Sequence, residues 1–180
     1  MKIKHMVYVA LFVALISVGA QIRIPVGPVP ITLQTPMILL TALILGPKLS
    51  AAAATVYLLI GLTGVPVFAG GGGIGSFISP SFGFILGFIP AAFVAGFGAK
   101  PGIPFYQVLL YTYSALLIIF VFGALYFVFI MNTVIGTPVG IIEALMITVI
   151  PFIIKDIIVG TLTAMFAVVL RRRGLNISVN

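Results

Sequence analysis

Apolar residues run along this chain in long uniform blocks, divided by short breaks of Gly, Pro, Lys and Arg. The blocks are Met6 to Ile22, about Leu33 to Leu45, about Ser50 to Gly64, about Phe82 to Ala99, about Phe105 to Met131 and about Pro151 to Leu170. Their ends are marked by Arg23-Ile24-Pro25, Gly46-Pro47-Lys48, Lys100-Pro101 and Arg171-Arg172-Arg173. No charged residue occurs between Lys48 and Lys100, or between Lys100 and Glu143. Each of these gaps holds about two spans of roughly 20 residues. The pattern predicts an all-α integral membrane protein with six transmembrane helices in a single domain, 1–180. Thr137 to Ile150 reads as a short amphipathic helix that does not cross.

Composition agrees. The 180 residues are 62% hydrophobic and only 6% charged, where soluble domains carry about 25% charged residues. In such a chain the net charge of +7 is an orientation signal and does not indicate nucleic acid. Six spans bring both termini to one side, with Lys2, Lys4 and the arginines at 171–173. The breaks holding Lys48 and Lys100 fall on that side too, while the opposite connections hold a single base, Arg23. Short cytoplasmic loops are enriched in Lys and Arg, so the termini are expected to be cytoplasmic. The basic start Met1 to His5 resembles a signal peptide, but only Ala20-Gln21-Ile22-Arg23 offers a weak cleavage site, so it reads as a retained first span. The absence of cysteine removes disulfides, thiolate catalysis and Cys-ligated metal. His5 reads as a solvated residue among lysines. No His/Asp/Glu cluster suits a metal, and no Ser-His-acid or Cys-His set exists. The expectation is a protein that is not an enzyme and carries no cofactor.

The connections on the outer side are long: Ile24 to Thr32, Val65 to Ser81 and Asn132 to Ile150. Long loops more often carry function than short ones, so a site lidded by loops is expected there. In the first, Pro25, Pro28 and Pro30 stiffen an extended segment, and Thr32, Gln34 and Thr35 place neutral donors and acceptors at the mouth of helix 2. This is either a rigid capped turn or a pre-organised lid for a neutral polar ligand. In Val65 to Ser81, the third connection along the chain when the inner break at Gly46-Pro47-Lys48 is counted as the second, Gly70, Gly72 and Gly75 match a dinucleotide-binding glycine pattern, which is rejected for want of the strand, helix and distal acid it requires. The run that opens with Gly70 and Gly71 is then a hinge, or a place where backbone N–H groups approach a ligand. Phe68 beside it offers a flat apolar surface.

Lys155 and Asp156 interrupt the last apolar block. A charge in hydrocarbon costs several kcal/mol and persists when it is paired, faces a cavity or has a task. Neighbours on a helix point about 100° apart, so these two need not satisfy each other. Either they form a structural ion pair, or Asp156 accepts hydrogen bonds from paired N–H donors while Lys155 balances its charge or holds a ligand anion. Asp156 is expected about one turn into its helix. Glu143 is either an interfacial residue or a second contact. Small residues four apart allow close helix approach in lipid. Gly83, Gly87, Ala91 and Ala95 are assigned to internal packing, as are Ala51 to Ala54. Ala10 and Ala14, with Val18 next in register, serve either internal packing or docking onto a second membrane protein.

Several strings in order carry a family resemblance over nearly the whole chain. They are Ala10-Leu11-Phe12-Val13-Ala14-Leu15, Gly19-Ala20-Gln21-Ile22, Pro25 to Thr35, Gly64 to Gly71, Gly87-Phe88, Ala91-Ala92-Phe93, and Pro151-Phe152 followed by Asp156. The sequence resembles the BioY family, the biotin-binding S-components of energy-coupling-factor (ECF) vitamin importers. The resemblance implies an S-component fold in a prokaryotic cell membrane, with an outward-facing pocket under loops 24–32 and 65–81. It implies that Asp156 takes the ureido N–H groups of biotin, with Lys155, Thr32, Gln34, Phe68, Gly70, Gly71 and Arg23 around the ligand. Ala10 and Ala14 would dock on the transmembrane T-component, and two ATPase subunits would drive import, during which the S-component topples in the membrane. One departure stands out: the family often has Lys one turn after the acid, where this chain has Val159, and Lys155 precedes the acid instead. The carboxylate of biotin would meet Lys155, Arg23 or loop backbone N–H groups. Two other readings are a self-sufficient secondary biotin importer, against which no inverted repeat is visible, and a membrane scaffold acting through helix 1.

Overall fold

A computed structural model describes residues 3–25 and 27–174. Lys2, one of the bases counted for orientation, and Val26 of the first connection lie outside the described residues, as do 175–180. The described chain folds into α1 (Ile3–Gln21), β1 (Arg23–Ile24), β2 (Ile31–Thr32), α2 (Gln34–Leu45), α3 (Pro47–Leu62), α4 (Phe82–Gly96), α5 (Phe105–Ile130), α6 (Ile141–Thr148) and α7 (Ile150–Arg172). Single turns of tighter or wider helix occupy Ile74–Ile78, Phe97–Ala99 and Met131–Ile135.

The expected apolar blocks correspond to α1 to α5 and α7. The described chain has a further helix, α6, where the short amphipathic segment was expected. Four helical stretches are long and apolar enough to cross a membrane: Ile3–Gln21, Phe82–Ala99, Phe105–Ile135 and Ile150–Arg172. With 12 and 16 residues, α2 and α3 are shorter. At 1.5 Å per residue, α2 covers about 18 Å against a hydrocarbon core of about 30 Å. Gly46 at φ 79° and Pro47 at the first turn of α3 make the break between them. The antiparallel ribbon of β1 and β2, pairing Arg23 with Thr32 and Ile24 with Ile31, was not foreseen. It lets the proline-rich first connection fold back on itself with its backbone partly paired.

Glycine sets the helix spacing. On α4, Gly83, Gly87, Ala91 and Ala95 are all buried. A Cβ built on Gly83 would lie 2.2 Å from Tyr126 Cβ, and one on Gly87 would lie 2.9 Å from Phe122 Cβ. Gly123 of α5 receives the ring of Phe84 in the same way. At the other end of α4, Gly96 lies against the backbone of Pro47, and the buried Ser50 hydroxyl donates to the Ala92 carbonyl at 2.9 Å. Around these contacts Ile16, Ile38, Leu39, Leu43, Phe82 and Ile119 form a closed core.

Two sets of contacts fix the ends of the bundle. Arg171 donates to the carbonyls of Gly98 at 2.7 Å and Lys100 at 2.5 Å, so the end of α7 shares a face with the α4–α5 link. Gln21 and Arg23, at the end of α1, both donate to the segment that leads into α4, so the first and third connections share the opposite face.

Because Gly83 meets α5 with no room for a side chain, Gly83→Val should destabilise the protein by about 1–3 kcal/mol. Gly140→Ala, where a Cβ meets open space, should leave it unchanged. Thermal midpoints by fluorescence-detected size exclusion in detergent compare the two, and equal midpoints would contradict the packing described.

Candidate ligand-binding site

Beneath the first and third connections lies a cavity of about 220 Å³. Its walls come from the mouth of α2 (Thr32, Gln34, Thr35), the third connection (Phe68, Gly70, Ser76, Ser79, Ser81), and α4, α5 and α7. From α7 come Phe152, Lys155 and Asp156. These belong to a helix whose buried stripe runs Phe152, Asp156, Gly160, Thr163, Ala164 and Ala167. Asp156 thus occupies a core position, 4% exposed. It lies six residues beyond Ile150, the first residue of α7, about 9 Å or nearly two turns deep, where about one turn was expected.

Lys155 and Asp156 do face each other, contrary to the expectation from their helical angle. Lys155 Nζ lies 2.6 Å from Asp156 Oδ1, with the lysine side chain 27% exposed. The four-carbon stem of lysine is long enough to curl back along the helix surface and cancel the angular offset of its Cβ. Nζ also stands 5.9 Å over the Phe152 ring. The ammonium lies off the direction a hydrogen bond takes, so Oδ1 is buried without a well-directed donor. The site therefore holds a charge-compensated carboxylate with no hydrogen-bond donor directed at it among the described residues.

The α2 side of the cavity carries a polar chain. Thr32 Oγ1 donates to Gln34 Oε1 at 3.1 Å. Gln34 Nε2 donates to the Tyr57 hydroxyl at 2.6 Å, and that hydroxyl donates to the Val67 carbonyl at 3.0 Å. Tyr57 is wholly buried and Gln34 nearly so. The carbonyls on either side of Val67 are also held. Gln21 Nε2 donates to Pro66 O at 3.1 Å and reaches Phe68 O at 3.5 Å, while Arg23 donates to Ala69 O. Gly73 N–H donates to the Gly61 carbonyl at 2.7 Å. The Phe68 ring fits over Gly61, where a Cβ would come within 2.0 Å of it. That ring meets Tyr57 edge-on, centroids 5.3 Å apart.

Of the residues expected at a site, Asp156, Lys155, Thr32, Gln34, Phe68 and Gly70 come together around the cavity. Arg23 and Gly71 do not line it. The Arg23 guanidinium is engaged with the Ala69 carbonyl outside the cavity wall. Gly71, at φ 113°, closes a backbone pair with Phe68. Glu143 is exposed on α6, away from the cavity. Ala10 and Ala14 are both exposed, on an outer face they share with Val7, Leu11 and Val18, so they take no part in internal packing. Tyr57 and the Ser76, Ser79 and Ser81 hydroxyls were missed. A lone tyrosine amid the apolar residues of helix 3 was the available signal for the first. Among the described residues no cluster of His, Cys, Asp and Glu could hold a metal.

Long apolar helices around a cavity with one buried, compensated carboxylate define a multi-pass membrane protein with an internal, partly polar chamber. A model of the BioY family matches residues 1–175. The chain belongs to the BioY family. It is 40% identical over 159 residues to a Pyrococcus horikoshii protein named probable biotin transporter BioY, covering 88% of this chain and 90% of that one. It is 36% identical over 170 residues to the biotin transporter BioY of Thermotoga maritima, covering 94% and 96%. The crystal structure at 2.1 Å of the S-component for biotin from an ECF-type ABC transporter superposes with a TM-score of 0.83 at 28% identity, over 96% of this chain and 93% of that one. These relatives are named as transport proteins, not enzymes.

Lys155 is what offsets the buried Asp156 charge. Removing one partner of a buried pair leaves the other uncompensated, so Lys155→Met should lower the stability of the ligand-free protein by up to about 3 kcal/mol. Lys155→Met combined with Asp156→Asn should regain most of that loss. Thermal midpoints in detergent decide it, and a single variant as stable as the parent would show that Asp156 is balanced some other way.

Proposed function

We propose that this protein captures biotin from the outer side of the cell membrane, as the S-component of an ECF importer. The whole chain acts as one binding domain, and membership of its family makes it a transport component with no catalytic role. On this reading six helices cross, α1 to α5 and α7, with both termini cytoplasmic. The distribution of Lys48, Lys100 and the arginines at 171–173 against Arg23 supports this orientation. Loops 24–32 and 65–81 form the lid.

The observation that carries the proposal is Asp156, the one carboxylate lining the cavity, buried and with no hydrogen-bond donor directed at it among the described residues. A cyclic urea offers neutral paired N–H groups, which bond to a carboxylate without adding charge to a buried site. Lys155 keeps Asp156 compensated, and Phe68 and Phe152 supply apolar walls. With Arg23 engaged elsewhere, the acid tail of the ligand meets neutral donors of the third connection, the Ser79 and Ser81 hydroxyls and the amides near Gly70. Gly71 acts by shaping that connection. The exposed Ala10 and Ala14 give α1 a smooth outer ridge suited to docking on a T-component, with ATPase subunits supplying energy.

Purified protein should bind biotin, and Asp156→Asn should weaken binding by about ten- to a hundredfold, since an amide replaces an acceptor with a mismatched donor. Isothermal titration in detergent measures both. Unchanged affinity in the variant removes Asp156 from the ligand, and no binding by the parent removes biotin. In Ala10→Leu/Ala14→Leu, biotin binding should survive while uptake and co-purification with a T-component are lost. Uptake that persists in cells lacking the ATPase module would instead favour a self-sufficient importer.

A further inference from the structure

The polar chain on the α2 side of the cavity has a direction fixed by its last member. The Val67 carbonyl can only accept, so the Tyr57 hydroxyl must give it its single proton, at 3.0 Å. The same oxygen is then left as an acceptor toward Gln34, 2.6 Å away. Only the nitrogen of the Gln34 amide can satisfy it, which turns Oε1 toward the Thr32 hydroxyl, 3.1 Å away. Gln34 Nε2 carries two protons. One goes to Tyr57; the other meets no acceptor among the described residues, and Gln34 lines the cavity. Tyr57 is 0% exposed and Gln34 6%, so water does not compete for these groups, and an unmet donor there is costly.

We propose that Tyr57 is a positioning residue: its hydroxyl latches the third connection at Val67 and, through the same bonds, orients the Gln34 amide so that an N–H faces the ligand. Gln34 then recognises an acceptor oxygen of the ligand, a carbonyl or a carboxylate, in the same cavity that the acceptor Asp156 lines. The site thereby offers both an acceptor and a donor, the complement of a ureide, which carries both N–H groups and a carbonyl. This deepens the biotin reading and rests on it for the ligand, though the latch itself does not.

The hydroxyl is removed by Tyr57→Phe, which keeps the ring packed against Phe68, and the amide by Gln34→Leu, of similar size. Biotin affinity is measured by titration calorimetry on the full chain in detergent for the parent, both single variants and the double variant. Tyr57→Phe should weaken binding about three- to tenfold in the parent background and hardly at all in the Gln34→Leu background. A merely structural role would give the same factor in both, and that result, or no loss in either, overturns the proposal. A second measurement needs no ligand. Hydrogen exchange of the ligand-free protein should be faster by about three- to tenfold in Tyr57→Phe across residues 67–73, whose Phe68, Gly71 and Gly73 amides are bonded in the closed connection. Unaltered protection overturns the latch even if the parent fails to bind biotin, an outcome that by itself would count only against the proposed ligand.

Discussion

A carboxylate held inside an apolar helix bundle sets the terms for everything around it. Asp156 sits in the inward stripe of α7, where its neighbours above and below are Phe152 and Gly160. Nothing in such a position tolerates a bare charge, and three features follow. A cation must come from close by, and the adjacent Lys155 supplies it at 2.6 Å. The space beside the acid must stay open toward polar groups, so a cavity exists there at all. The mouth of that space must be bounded by backbone whose polar groups are met, and the first and third connections supply it. Below the acid, a Cβ added to Gly160 would meet Leu116, Thr112 and Leu39 at 3.3 to 3.7 Å, so α7 lies close against α5 and α2 there.

The lid meets this need with little regular structure. Its extended run from Pro66 to Ala69 presents carbonyls that are met in turn by Gln21, Tyr57, Gln21 again and Arg23. The donors belong to α1, to α3 and to β1 at the end of α1, so closing the lid ties those elements together across the cavity mouth. Glycine permits the docking at two points. Gly61 leaves room for the Phe68 ring, and Gly72 lies where a Cβ would strike the Val65 carbonyl at 2.2 Å.

Much of this was legible in the sequence because its signals are one-dimensional. Apolar length marked the helices within a few residues, the small-residue stripe on α4 marked the α5 contact, and charge in hydrocarbon marked Asp156. Gln34, Thr32 and Phe68 were found because loops between apolar blocks are where polar and aromatic residues have tasks. What was not legible depends on reach and on partners distant in sequence. The Lys155 stem overrides the angle between Cβ atoms, which no periodicity argument contains. The bond from Arg23 to a main-chain carbonyl 46 residues away was not legible either, because such a partner has no signature in a sequence. Tyr57 was passed over for the same reason, since a buried hydroxyl is informative only once both of its partners are known.

The composition of the two lid segments has one more consequence. Pro25, Pro28, Pro30 and Pro66 contribute carbonyls but no N–H groups, and the bonds from Gln21, Arg23 and Tyr57 to the lid are all accepted by its carbonyls. Parting this connection from the bundle would release acceptors into water, which satisfies them, and leave the side-chain donors behind on α1, α3 and β1. The bonds that hold this connection to the bundle thus all run one way, from side-chain donors to main-chain acceptors, and among those donors only Arg23 carries a charge.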